Sequence, residues 1–158
     1  MTATLQLGDD LLRNAARLNR WATRHADLGV PFAQARLIAL LEELGPARIG
    51  DLARADHTSQ PSLTSCVQRL EAAGWVRRDD DPGDARASLV SLTPAGRGAL
   101  TNVRRARAAV LQPVLDELEL RDPAALARVR AAVDVIAELL DTSAPLRSGL
   151  AASAATTR

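Results

Sequence analysis

Ser59, Gln60, Ser62, Thr64, Ser65, Gln68 and Arg69 fall within eleven consecutive residues that contain no acid. Small hydroxyls approach phosphates closely, the Gln amide matches the edge of adenine, and the Arg fork matches guanine or a phosphate. At helical spacing Leu63, Val67 and Leu70 cluster within about 60° of one another. The opposite face then carries Thr58, Pro61, Ser62, Ser65, Gln68 and Arg69, with Gln60 and Thr64 on its flanks. An ordinary solvated face is rich in Glu and Lys, and this one has neither. Its chemistry suits the grooves and backbone of double-stranded DNA.

The flanking sequence must position that face. Ser59 is placed to cap the helix, Pro61 sits in its first turn, and Gly74 suits its end. A short helix from Gly50 to Ala55 precedes it across the turn Asp56-His57-Thr58. Beyond Gly74 the period changes. Trp75-Val76-Arg77-Arg78 and Ser88-Leu89-Val90-Ser91-Leu92 read as strands, and polar residues 79–87, with Pro82-Gly83, read as the turn between them. Helix, turn, helix and hairpin in that order make a winged helix-turn-helix. The hairpin tip carries Asp79, Asp80, Asp81 and Asp84, so Arg77, Arg78 and Arg86 are expected to offset four acids near a phosphate backbone.

The remaining pattern is helical. Leu11, Ala15, Leu18 and Ala22 predict a helix from Asp9 to Ala26, after a frayed start at residues 1–7. A second runs from Phe32 to Leu44 and stops at Gly45-Pro46, before a short connector at Ala47-Arg48-Ile49. Thr93-Pro94 starts a long helix that Pro113 is expected to kink or interrupt. Asp122-Pro123 starts a last helix through Leu140. The expected organisation is an N-terminal dimerisation helix (1–30), a winged helix-turn-helix (31–98), C-terminal dimerisation helices (99–141) and a disordered tail (142–158). The fold class is mainly α with a small β-hairpin wing. The broad apolar stripes of the terminal helices exceed what a small wing domain covers, so they should pair in a homodimer. Two-fold symmetry would set two reading helices roughly 34 Å apart on a pseudo-palindromic site.

Composition narrows the alternatives. The 158 residues are 47% hydrophobic and 2% aromatic, with a net charge of +1. All 20 basic residues are Arg, and residues 46–107 hold ten of them against seven acids, a local balance of +3. No run is apolar enough to cross a membrane and residues 1–10 do not form a secretory signal. Lone Cys66 excludes an internal disulfide and fits a cytoplasmic protein; it reads as a structural thiol rather than an oxidation switch. His25 and His57 are too separated to bind zinc with it. No cofactor motif, phosphate loop or nucleophile with its base is present, so no enzyme is expected. The rival to a DNA regulator is a winged-helix module that binds protein, which high salt would not dissociate.

Three motifs bring a family into view. Leu70-Glu71-Ala72-Ala73-Gly74, Asp84-Ala85-Arg86 and Leu92-Thr93-Pro94-Ala95-Gly96 follow one another at the separation seen in MarR-type (multiple antibiotic resistance regulator) transcriptional regulators. The chain resembles that family from Asp9 to Leu140. The resemblance implies that Arg86 enters the minor groove and Asp84 orients the wing, with Gly83 where many members carry another Arg. It also implies an obligate homodimer, expected to act as a repressor, and a small aromatic or phenolic effector held by the Trp21, Phe32 and Arg36 region. The plainer reading of Trp21 and Phe32 is core packing. His57 could meet a phosphate or be only a turn residue. The redox-sensing members place their reactive Cys near the start of the first helix, where this chain has none.

Overall fold

The computed structural model describes residues 2–156. The elements run α1 (Ala3–His25), α2 (Phe32–Leu44), β1 (Ala47–Arg48), α3 (Ile49–Ala55), α4 (Gln60–Ala72), β2 (Val76–Asp81), β3 (Asp84–Leu92), α5 (Pro94–Arg121) and α6 (Ala125–Thr156). They divide into two compact units, Met1–Leu111 and Gln112–Arg158, with the division inside α5.

The first unit is organised around one apolar core. Leu37, Ile38 and Leu41 of α2, Leu52 of α3, Leu63, Val67 and Leu70 of α4, Val76 and Val90 of the sheet, and Leu100 and Val103 of α5 are all buried. Each such side chain contributes about 1.5–3 kcal/mol through burial. The three Leu and Val positions that share one side of the reading helix are therefore the anchor that turns its polar side outward.

The three strands form an antiparallel sheet in the order β1-β3-β2. Val76 faces Leu92 and Asp81 faces Asp84, so the ladder runs to within two residues of itself at Pro82-Gly83. The wing is thus longer than the sequence pattern predicts: residues 79–81 and 84–87 are strand, not turn. Two of the acids are met by cations: Asp79 by Arg77 of the same strand and Asp81 by Arg48 of β1, as described below.

Three other elements depart from expectation. α1 begins at Ala3 rather than Asp9, because Thr2 caps it by accepting the Leu5 N–H at 3.3 Å. α5 is not interrupted at Pro113. Proline removes one N–H and one hydrogen bond, and the turns on either side retain theirs. α6 does not stop at Leu140 but continues to Thr156.

The C-terminal end of α4 is built by Gly74. With φ +71° it adopts the left-handed conformation, its N–H bonds Glu71 O at 2.9 Å, and the Trp75 N–H bonds Leu70 O at 2.9 Å. That pair of bonds is a Schellman cap. Thr93 then ties the start of α5 to the same point: its hydroxyl donates to Gly74 O at 2.7 Å and accepts the Gly96 N–H at 3.1 Å. The Leu70–Gly74 and Thr93–Gly96 motifs are two halves of one joint between reading helix, wing and α5.

Candidate nucleic-acid interface

α3, the turn 56–58 and α4 form the helix-turn-helix. His57 takes φ +51°, and the Thr58 N–H reaches back to Ala53 O at 3.1 Å. His57 therefore closes α3 in the way Gly74 closes α4.

The predicted face of α4 is assembled as expected. Ser59, Gln60, Ser62, Ser65, Gln68 and Arg69 are exposed and Thr64 is half-buried, while Leu63, Cys66, Val67 and Leu70 point into the core. The residues are not equivalent. Ser59 is the N-cap: its oxygen accepts the Ser62 N–H at 3.4 Å and its hydroxyl donates to Ser62 Oγ at 2.8 Å. Thr64 donates to Gln60 O at 2.8 Å and Ser65 to Pro61 O at 3.1 Å. In the free protein these hydroxyls offer acceptor oxygens outward and must rotate to donate to a phosphate. Gln60, Gln68 and Arg69 need no such rearrangement. Ser59→Ala should cost about 1 kcal/mol of stability through the lost cap, even without DNA; urea unfolding monitored by circular dichroism measures it.

At the wing, the structure corrects how the acids are balanced. Arg86 is exposed and, among the described residues, its guanidinium has no ion-pair partner. Among the described residues it offsets none of the wing acids. Asp79 instead accepts the Ser91 hydroxyl at 2.8 Å and pairs with Arg77 at 3.2 Å. Arg78 pairs with Glu71 at 3.0 Å. Asp81 is met by Arg48, at 2.6 Å from the guanidinium Nε. Arg48 sits on a two-residue strand and no periodicity or motif marks it; only the sheet brings it to the tip. Asp84 accepts the Arg86 N–H at 3.0 Å.

The Gly83 N–H and then Arg48 hold the Asp81 carboxyl below the usual carboxylate range. A lowered carboxylate pKa stabilises the folded state above the unfolded value, and that contribution is lost as pH falls through the folded value. Asp81→Asn should therefore flatten the acid limb of the stability profile below about pH 4, with thermal melts across pH as the check.

Cys66 is buried, and burial pushes its thiol up. A protonated, covered thiol is a poor nucleophile. Among the described residues no three His, Cys, Asp or Glu side chains gather as metal ligands, and no helix is long and apolar enough to cross a membrane.

Phe32 and Arg36 are brought together, while Trp21 lines a separate cavity. Trp21 stacks on His25 and lines a cavity with Arg17 and Leu18. Phe32 is 51% exposed, so it is not core, and it closes a different cavity of about 550 Å³ with Thr23, Leu28 and Val30. Arg36 lies over the Phe32 ring but spends its charge on Asp56 at 2.7 Å.

The sequence model of the MarR family matches residues 32–88, from the start of α2 into β3. An HTH-type transcriptional regulator of Mycobacterium leprae is 32% identical over 141 residues, covering 87% of this chain and 95% of that one. The chain belongs to the MarR family. A second HTH-type regulator, from Bacillus subtilis, is 30% identical over 88 residues, 54% of this MarR-family chain and 58% of the relative. The crystal structure of a Thermotoga maritima transcriptional regulator shares the fold, with a TM-score of 0.67 and 24% identity over 86% of this chain and 98% of that one. This MarR-family protein is a DNA-binding transcriptional regulator.

Proposed function

We propose that the protein is a cytoplasmic homodimeric repressor that occupies a pseudo-palindromic operator. The observation that carries this reading is the exposed, acid-free face of α4 beside a wing whose Arg86 has no ion-pair partner among the described residues. Gln60, Gln68 and Arg69 supply the base-edge contacts, with Ser62, Thr64 and Ser65 on phosphates. Ser59 caps and contacts, Asp84 sets the wing, and Arg86 enters the adjacent groove.

The dimer reading rests on unpartnered apolar surface. In the first unit Leu5, Leu7, Leu12 and Leu18 of α1 are 52–73% exposed. In the second, Val114 and Leu118 of α5 and Val133, Ile136 and Leu140 of α6 are 38–55% exposed. Large apolar side chains left exposed in this number on the terminal helices support an interface. A small aromatic effector would occupy the cavity at Phe32, between Arg20 and Arg24, rather than a Trp21–Phe32–Arg36 pocket.

A fluorescence anisotropy titration tests the reading, with duplex from upstream of the protein's own gene beside a scrambled duplex at equal salt. Binding about a thousandfold tighter to the upstream duplex is expected. Salt-insensitive behaviour with no DNA affinity would favour the protein-binding alternative.

A further inference from the structure

We infer that Arg48 is a positioning residue of the wing, clamping the hairpin tip through Asp81 and Asp84 and thereby fixing where Arg86 stands. The inference rests on the DNA-reading assignment above and deepens it. Arg48 is paired in the ladder with Leu89, well back from the tip. Its side chain nevertheless reaches the turn: Nε donates to Asp81 Oδ2 at 2.6 Å, and Nη1 lies 3.8 Å from the Asp84 carboxylate. Those two carboxylates each hold a backbone amide. Asp81 Oδ1 accepts the Gly83 N–H at 2.8 Å, and Asp84 Oδ1 accepts the Arg86 N–H at 3.0 Å. One cation therefore fixes both acids, and the acids fix the chain on both sides of Pro82-Gly83.

The geometry separates this role from a direct phosphate contact. The Asp81 side chain is only 11% exposed and lies under the guanidinium. Arg48 is thus already committed, whereas Arg86 is not. The clamp also covers one acid that would otherwise face phosphates beside Arg86. An ion pair this exposed on its cationic side adds little to global stability. Its effect belongs in the order of the tip and in DNA affinity.

Two readouts on the full-length protein test it. In the free protein, Arg48→Ala should speed amide hydrogen exchange at Gly83 and Arg86 while leaving the α4 amides and the melting temperature as they are. Unchanged exchange at both tip amides overturns the clamp. For DNA, the probe is a duplex that the wild-type protein selects from a randomised pool. Arg48→Ala should weaken binding about tenfold in the wild-type background and less than about threefold in an Asp81→Asn background. The full loss in both backgrounds would make Arg48 a direct contact and overturn the positioning role, as would no loss in either. If the wild type selects no duplex, the DNA-reading assignment fails, and the exchange measurement still decides the clamp.

Discussion

Gly96→Ala is expected to destabilise the protein by about 3 kcal/mol, the upper part of the range for overpacking. Inside an α-helix the same change ordinarily stabilises by up to about 1 kcal/mol, because Ala has less backbone freedom to lose. The sign reverses here because a Cβ at position 96 would stand 2.0 Å from the Trp75 carbonyl oxygen and 2.9 Å from its carbon. That carbonyl cannot retreat freely, since it accepts the Thr93 N–H at 3.0 Å. Gly98, two residues along α5, provides the control: nothing lies within 4 Å of its would-be Cβ. Gly98→Ala should raise stability by about 0.5–1 kcal/mol. Urea unfolding of both variants checks the pair, and equal behaviour would mean that α5 does not pack on Trp75 as described. Gly96→Ala should also weaken DNA binding, because the joint it opens sets the wing against the reading helix.

Arg86→Ala should weaken operator binding by roughly 1–3 kcal/mol and leave folding stability within about 0.5 kcal/mol of wild type. The side chain is exposed at the wing and unpaired among the described residues, so its loss orphans no partner and removes little packing. If the guanidinium neutralises a phosphate, the slope of log affinity against log salt should fall by about one unit. If it reads a base edge in the groove, the loss should depend on sequence instead, with the slope nearly kept. Titrations at several salt concentrations against the upstream and scrambled duplexes separate these. Unchanged affinity throughout would remove the wing from the interface. The comparison with Arg48→Ala is informative: one variant deletes the contact and the other loosens what aims it.

The reading helix was legible because its information is local. Ser59, Pro61 and Gly74 mark its ends, and a 3.6-residue period is enough to sort Leu63, Val67 and Leu70 from the polar face. The same holds for α2, where Gly45 stops the helix with φ +73°. The wing was legible only as a hairpin. The acids of its strands found their cations in different ways: Arg77 meets Asp79 along the same strand, and only Arg48, on β1, comes from across the sheet to meet Asp81. The placing of Trp21, Phe32 and Arg36 was not legible either: Trp21 and Phe32 line separate cavities, and Arg36, over the Phe32 ring, is also paired with Asp56, twenty residues away.

What the residues determined by themselves was the set of elements, the polar, acid-free face of α4 and the motifs of the MarR family, all of which follow from periodicity, capping and turn chemistry within a few positions. What only the tertiary structure decided was which charges are spent and which are free, why position 96 admits no side chain, and which serine is a cap before it is a contact. Those depend on atoms brought together from distant parts of the chain, and no local pattern records the separation at which two such groups will meet.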